Sequence, residues 1–462
     1  MKSTRTQRSL APVSRPSVAE LRAMGKSLRE KCPRHSHADW KAPVNRPDPL
    51  QMLAQSNQGR VASLIPIRMG RMVRTPFTFY RGAALNMAVD LAGTPASGLR
   101  VQACGDCHLH NFGAYATPER RIVFDINDLD ETLPAPWEWD VKRLATSFVL
   151  ACRDNGLRRS DAEEAVLTCM RAYREHLAEY SQMTVLEIWY ASIEIEKLIE
   201  GIKDADTRRR ELKQFVVSRA KSMSEHHFPE IIARAGHSPA IKDNPPLICH
   251  ARIQSEDLLQ FGRSALAGYR ESLPDDRRAL IDRFELMDIA RKVVGVGSVG
   301  TWCSVALMMA GKNDHVFLQI KEARPSVLEA YAGRSIYTNH GQRVVNGCHL
   351  MQSASDIFLG WTKDKLGRHF YVRQLRDMKM GVPVEEFGSE QMAGYARYCG
   401  WTLARAHARS GKAAAISGYL GKSDAFDTAI AAFANDYADQ TERDYAIFKK
   451  AVRSGHINAV ME

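Results

Sequence analysis

The residues of this chain whose types and spacing could do chemistry lie in Cys104-Gly105-Asp106-Cys107-His108-Leu109-His110-Asn111-Phe112 and, just after it, Arg121-Ile122-Val123-Phe124-Asp125-Ile126-Asn127-Asp128-Leu129-Asp130-Glu131. Asp106 and Asn111 stand five positions apart, a spacing that lets one loop offer a carboxylate to a hydroxyl and an amide oxygen to a metal ion. Asp125 closes a short apolar run, Ile122-Val123-Phe124, that reads as a strand, so its carboxylate is expected at a strand end beside that loop. A general base, a neutral metal ligand and an anionic metal ligand are what phosphoryl transfer from a Mg-nucleotide needs.

The elements that must complete such a site lie far downstream. Val293-Val294-Gly295-Val296-Gly297-Ser298-Val299-Gly300-Thr301 carries a G-x-G-x-x-G. The apolar run Ser304–Met308 follows, then a polar turn at Gly311-Lys312-Asn313-Asp314, then a second run, His315–Ile320, that delivers Lys321. A dinucleotide fingerprint requires a helix directly after the glycines. Strand, glycine turn, strand, polar turn, strand and lysine is instead the order of a phosphate-covering hairpin in a kinase-like fold. Gly295, Gly297, Gly300 and Lys321 are therefore expected to bind ATP, with Glu329 or Glu322 as the partner of Lys321. Glu329 is preferred, because neighbouring residues on a strand face opposite ways.

In kinases the glycine loop and lysine precede the catalytic loop; here they follow it by about two hundred residues. After Lys321 the pattern gives a helix-like Ser326–Tyr331, strands at Ile357–Trp361 and Phe370–Leu375, and a helix at Gln391–Ser410. A circular permutation reconciles that order with a kinase-like fold, and close chain termini make such cuts tolerable.

Several runs carry a resemblance: Arg81-Gly-Ala-Ala, Cys104–Gly113, Phe124–Glu131, Pro136-Trp-Glu-Trp-Asp140, Tyr371–Lys379 and Leu403-Ala-Arg-Ala-His-Ala-Arg-Ser410. Together they resemble the bacterial domain-of-unknown-function 2252 family over roughly residues 40 to 455. Gly105-Asp106-x-His108-x-x-Asn111 also resembles the catalytic loop of aminoglycoside and choline phosphotransferases. That resemblance implies a base at Asp106 with His108 beside it in the catalytic element. It implies magnesium ligands at Asn111 and Asp125, and a structural aspartate at Asp140 that buttresses the loop. The chain departs from the phosphotransferase pattern at Cys104, where those enzymes carry His, and Asp128 and Asp130 stand as rival metal ligands to Asp125.

Composition bounds the rest. With 462 residues, 45% of them apolar, the chain can bury a full core. No apolar run reaches the roughly eighteen residues of a membrane span. The basic start, Met1–Leu10, lacks the apolar segment of a secretory signal. Nine cysteines, scattered rather than framed, suit a reducing compartment, and a cytoplasmic location is expected. The stretch to Arg34 holds nine Lys and Arg against two acids, part of a net charge of +11. Within it Ser17-x-x-Glu20 is a capping box opening a helix to about Lys31.

The expected fold is α+β and two-lobed, protein-kinase-like and circularly permuted, with a small antiparallel β lobe and a larger helical lobe. A basic arm with one helix occupies 1–60. The helical lobe with the catalytic and acidic loops occupies 61–290, including helices at Arg159–Tyr180 and Asp275–Arg291. The nucleotide-binding β lobe occupies 291–390, and helices that complete the helical lobe occupy 391–462.

Plainer readings compete. Asp, Asn and Gly are ordinary turn residues, Cys104-x-x-Cys107 with two histidines invites a structural metal, and Lys321 could be a sheet-edge lysine. Arg60, Arg68, Arg71, Arg74 and Arg81 form either a solvated face or a site for an anionic substrate. The function expected is an ATP- and Mg-dependent phosphotransferase acting on a hydroxyl acceptor, a small molecule. A nucleotidyl transferase or protein kinase could use the same pocket, and a non-catalytic nucleotide- or nucleic-acid-binding protein is the remaining class, favoured only by the charge of the arm. No membrane partner is expected, and the sequence leaves the oligomeric state open.

Overall fold

The computed structural model describes residues 16–200, 209, 212–213, 232–235, 238–250, 258–293, 295–311, 314–375 and 382–461. Residues 1–15 of the basic arm, Val294, Lys312, Asn313 and the end of the Tyr371–Lys379 run lie outside them. The fold is α+β, with its strands in antiparallel sheets. No helix among the described residues is long and apolar enough to cross a membrane.

The largest sheet has six strands in the order Gly360–Lys363, His369–Gln374, His315–Ala323, Cys303–Met309, Glu285–Lys292, Ile248–Cys249. Its central strands, Cys303–Met309 and His315–Ala323, are buried along nearly their whole length, as strands covered on both faces must be. One face packs Ile289, Ala306, Leu318, Phe370 and Val372 against the helix Leu258–Ser272 through Phe261 and Tyr269, forming a core of its own. The expected helix at Asp275–Arg291 is corrected here. It stops at Ile281, and Glu285–Lys292 is a strand whose buried Ile289 and Ala290 join opposite sheet faces. The sheet therefore begins well before residue 291.

A second, larger core is helical. Trp137–Asp154 runs through its middle and is buried from Trp137 to Cys152, with Arg159–Tyr180 and Ser389–Ser410 packed nearby. The Trp137 indole stacks on Tyr173 at 5.8 Å and donates from Nε1 to Ser97 Oγ at 3.0 Å, so a large aromatic is buried without an orphaned N–H. The capping box at Ser17 and Glu20 opens the helix Val18–Ser27, which passes into a short 3-10 turn, Leu28–Glu30, before Lys31. Two small two-stranded sheets carry the loops of interest: Arg100–Ala103 pairs with Leu133–Pro136, and between them in sequence the hairpin Phe112–Ala116 pairs with Ile122–Ile126.

Candidate active site

The loop 104–111 is held from below by Asp140, in the first turn of the helix Trp137–Asp154. Its carboxylate accepts from Cys104 N at 2.6 Å and from Gly105 N at 3.0 Å. It also lies 3.2 Å from His407 Nε2, and the Tyr173 hydroxyl meets His407 Nδ1 at 2.8 Å. Nε2–H donating to Asp140, with Nδ1 accepting from Tyr173, is the tautomer that satisfies both contacts. Two buried amides that would otherwise lack partners thus fix the loop to the core.

Gly105 takes φ +84, a region that costs a side-chain-bearing residue about 1–3 kcal/mol. A β-carbon there would also stand 2.3 Å from the Glu131 carbonyl oxygen. Gly105→Ala is expected to lower stability by at least that dihedral cost, read as an earlier urea midpoint with an unchanged m-value. A midpoint equal to that of the wild type would show that the loop relaxes freely.

Asp106 turns its two oxygens in different directions. Oδ1 is gripped by Arg143, whose Nε donates at 2.6 Å and whose second nitrogen completes a two-point contact. Oδ2 faces His108 Nε2 at 3.9 Å and the glycine turn, where a β-carbon on Gly297 would lie 3.9 Å away. Burial, and then the charges of Arg81 and Arg143, push the His108 imidazolium pKa well down, so this ring is neutral. The Asn111 amide nitrogen donates to the Asp106 carbonyl at 2.7 Å, which turns Oδ1 of Asn111 the other way.

The acidic segment departs from expectation at Asp125. Its side chain is wholly buried rather than presented at a strand end. Oδ1 meets Arg405 at 2.5 Å, and Oδ2 accepts from Ser353 N and Ser353 Oγ, each at 2.7 Å. A carboxylate committed on both oxygens inside the core has no access to an ion, so Asp125 is removed from the metal-ligand set. The partly exposed carboxylates are those of Asp128 and Asp130, at 34% and 26% side-chain exposure.

Those two carboxylates meet the sheet. Lys321 Nζ pairs with Asp130 and lies 3.7 Å from Asp128. Burial alone would favour a neutral amine, but the two carboxylates outweigh it and hold the ammonium well above its ordinary pKa. Tyr371 donates its hydroxyl to Asp130 Oδ1 at 2.7 Å, and Ser298 Oγ stands 3.4 Å from Asp130 Oδ2. The expected pairing of Lys321 with a glutamate is corrected on both counts. Glu329 lies 3.7 Å from His340 Nδ1, and Glu322 accepts from Trp302 N at 2.9 Å. Lys321 also sits inside its strand rather than at its end.

The arginines do not form one solvated face. Arg68 is buried and donates to the Gly82 carbonyl at 2.6 Å, while Arg60 donates to the Val299 carbonyl at 2.6 Å and so holds the glycine turn. Val61 N donates to the Gly300 carbonyl at 2.8 Å beside it. Gly295 and Gly300 thus lie on the same turn as Gly297, with Arg71 reaching the Gly295 carbonyl at 3.4 Å.

Sequence reasoning missed Arg143, Arg405, Tyr371 and the Asp130–Lys321 pair. Arg143 was recoverable, since it follows Asp140 by one helical turn and must share its face. Arg405 and His407 lie more than 260 positions from their partners Asp125 and Asp140, a separation that leaves no local signal.

The oxygens of Asn111, Asp128 and Asp130 are hard donors of the kind that fit magnesium. Among the described residues no group of three or more His, Cys, Asp or Glu is arranged to hold a metal ion, so an ion here would take further oxygens from phosphates or water, as magnesium does. In comparison with known proteins, no curated protein and no solved structure matches this chain. One family model does, over residues 60–451, and on that match the chain belongs to the family of uncharacterized proteins conserved in bacteria called domain of unknown function 2252.

Proposed function

We propose that this protein is a phosphotransferase that moves the terminal phosphoryl group of Mg-ATP to a hydroxyl acceptor, on a circularly permuted, two-lobed, kinase-like fold. The observation that carries the reading is a meeting of distant segments. The glycine turn reaches to within 3.9 Å of Asp106, measured from a β-carbon position on Gly297. The strand lysine, Lys321, pairs with the acidic loop that follows Asp106 and Asn111. In this reading the six-stranded sheet with the helix Leu258–Ser272 is the nucleotide lobe, and the helical core around Trp137–Asp154 is the other lobe.

Bound Mg-ATP would supply the transferable group together with the metal charge that offsets its phosphates. Asn111 and Asp128 would hold the ion, with Asp130 beside them. Lys321 would contribute the positive charge that phosphate oxygens require. The backbone of Gly295–Gly300, free of side chains at its closest approach, would cover the phosphates. Asp106 Oδ2, the oxygen left after Arg143 takes Oδ1, would accept the acceptor's proton. Arg143 holds the carboxylate through Oδ1 and Asn111 holds the Asp106 backbone carbonyl, so the carboxylate is oriented as a general base needs.

Lys321→Met tests the nucleotide part. It removes a buried cation from two carboxylates that then repel nucleotide phosphate. The stabilisation that Mg-ATP confers in a thermal-shift titration is expected to shrink, each tenfold loss in affinity removing about 1.4 kcal/mol of it at saturating nucleotide. A nucleotide-induced shift equal to that of the wild type would move ATP to a different pocket and end this reading.

A further inference from the structure

Beside Asp106 stand two arginines, and only one of them has its charge met. Arg143 is satisfied by the two-point contact with Asp106 and by donation to the Tyr80 carbonyl at 3.2 Å. Arg81, on the helix Pro76–Gly82, is not. Its Nε is buried with no hydrogen-bond partner among the described residues. Its guanidinium lies over the Phe77 ring at 5.9 Å, a cation–π contact that supplies no acceptor oxygen. The acids whose charge reaches it are Glu385 and Asp106. Asp106 is already committed to Arg143. Glu385 is 67% exposed and stands 3.1 Å from His110 Nε2.

Position makes this cation relevant to the site. The Arg81 carbonyl oxygen would lie 3.4 Å from a β-carbon on Gly297, the same point that is 3.9 Å from Asp106 Oδ2. The backbone of Arg81, the glycine turn and the catalytic-loop carboxylate therefore converge, while the Arg81 guanidinium lies over Phe77, the ring that packs on His110 of the catalytic loop. His110, stacked on Phe77 at 5.4 Å, forms the neighbouring wall. Burial lowers the pKa of Arg81 itself, as expected of a cation without its own counter-ion. A desolvated guanidinium with an unmet donor is costly. Its planar fork suits the two oxygens of a carboxylate or phosphate better than it suits any neutral group.

We propose that Arg81 anchors an oxyanion carried by the acceptor, so that the molecule presenting its hydroxyl to Asp106 is itself a carboxylate or a phosphate ester. The acceptor part of this inference rests on the phosphotransferase reading; the oxyanion site does not depend on ATP.

Isothermal titration of sulfate into the full chain, with and without a saturating non-hydrolysable Mg-ATP analogue, tests it. Wild-type protein is expected to bind sulfate under both conditions. Arg81→Gln is expected to bind it at least tenfold more weakly, and Arg81→Lys, which keeps the charge and loses the fork, to fall between the two. Arg81→Lys also serves if Arg81→Gln does not fold. Equal affinity in wild type and a folded variant overturns the proposal, and so does loss of sulfate binding once the nucleotide analogue is present, because the anion would then occupy the nucleotide's phosphate position. Competition separates the two sources of oxyanion. Glycerate or glycerol 2-phosphate should displace sulfate where neutral glycerol does not, and displacement by neither anion also overturns the proposal. Arg81-dependent sulfate binding in a chain that binds no Mg-nucleotide would keep the oxyanion site and sink the phosphotransferase reading. Mg-ATP binding without Arg81-dependent sulfate binding would do the reverse.

Discussion

Asp125→Ala is expected to destabilise the whole chain by about 3–5 kcal/mol, the usual cost of deleting one member of a buried ion pair. Both Asp125 and its partner Arg405 have wholly buried side chains, 2.5 Å apart. Removing the carboxylate leaves the Arg405 guanidinium inside the core. Among the described residues, the other acceptor for that guanidinium is the Met351 carbonyl, at 2.9 Å. It also strips the acceptor from Ser353 N and Ser353 Oγ, each of which donates to Asp125 at 2.7 Å. The damage should be symmetric: Arg405→Ala leaves an uncompensated carboxylate at the same place and should cost a similar amount. In the double variant Asp125→Ala/Arg405→Ala the loss should be well short of the sum of the two, because neither charge is then stranded. Urea unfolding of the four proteins measures this. Additive losses would mean that the pair is not coupled. A stable Asp125→Ala that has lost only nucleotide binding would restore Asp125 as a metal ligand.

The ease of reading this chain followed the range of the interaction. Helices with strong local signals stood out: the capping box before Val18–Ser27, and the periodic apolar residues of Arg159–Tyr180 and Ser389–Ser410. The strands around the glycine turn were also legible, because Gly295–Gly300 and the polar turn punctuate them. The strand Glu285–Lys292 was not. Its charged residues continue the helical pattern begun at Asp275, and pairing with Cys303–Met309 overrides that local preference. The helix His340–Met351 carries Gly341 and Gly347, both weak helix formers, yet each packs where a side chain would collide with Phe370 or Thr132. In the acidic segment, composition announced a site and could not apportion it. Asp125, Asp128 and Asp130 are chemically alike, and what distinguishes them is Arg405, 280 positions away, against Lys321 in the sheet. Likewise Glu329 and Glu322 were plausible partners for Lys321 by proximity in sequence, and the pairing went to a carboxylate far from both. Local rules set which residues share a face of an element; they carry no information about which other element that face meets.

Asp106→Asn should separate proton transfer from binding. In the proposed role Asp106 Oδ2 accepts a proton from the acceptor and does not hold the nucleotide, so Mg-ATP affinity should stay within a few-fold of that of the wild type. Turnover should fall by a factor of about 100 or more, the usual span for a lost general base. Asparagine keeps an oxygen for the Arg143 Nε, which now donates to Oδ1 at 2.6 Å, but it loses the charge that pairs with a buried guanidinium. Some stability will therefore go with it, and rates must be compared at a temperature where both proteins are fully folded. Asp128→Asn should behave in the opposite way, since it removes an anionic oxygen from the proposed ion site and nucleotide affinity itself should drop. Initial rates and nucleotide titrations on the two variants side by side provide the test. Equal losses of affinity in both would place Asp106 on the nucleotide rather than on the acceptor. Full turnover in Asp106→Asn would reduce the loop to a structural turn, held by Asp140 for the sake of the fold alone.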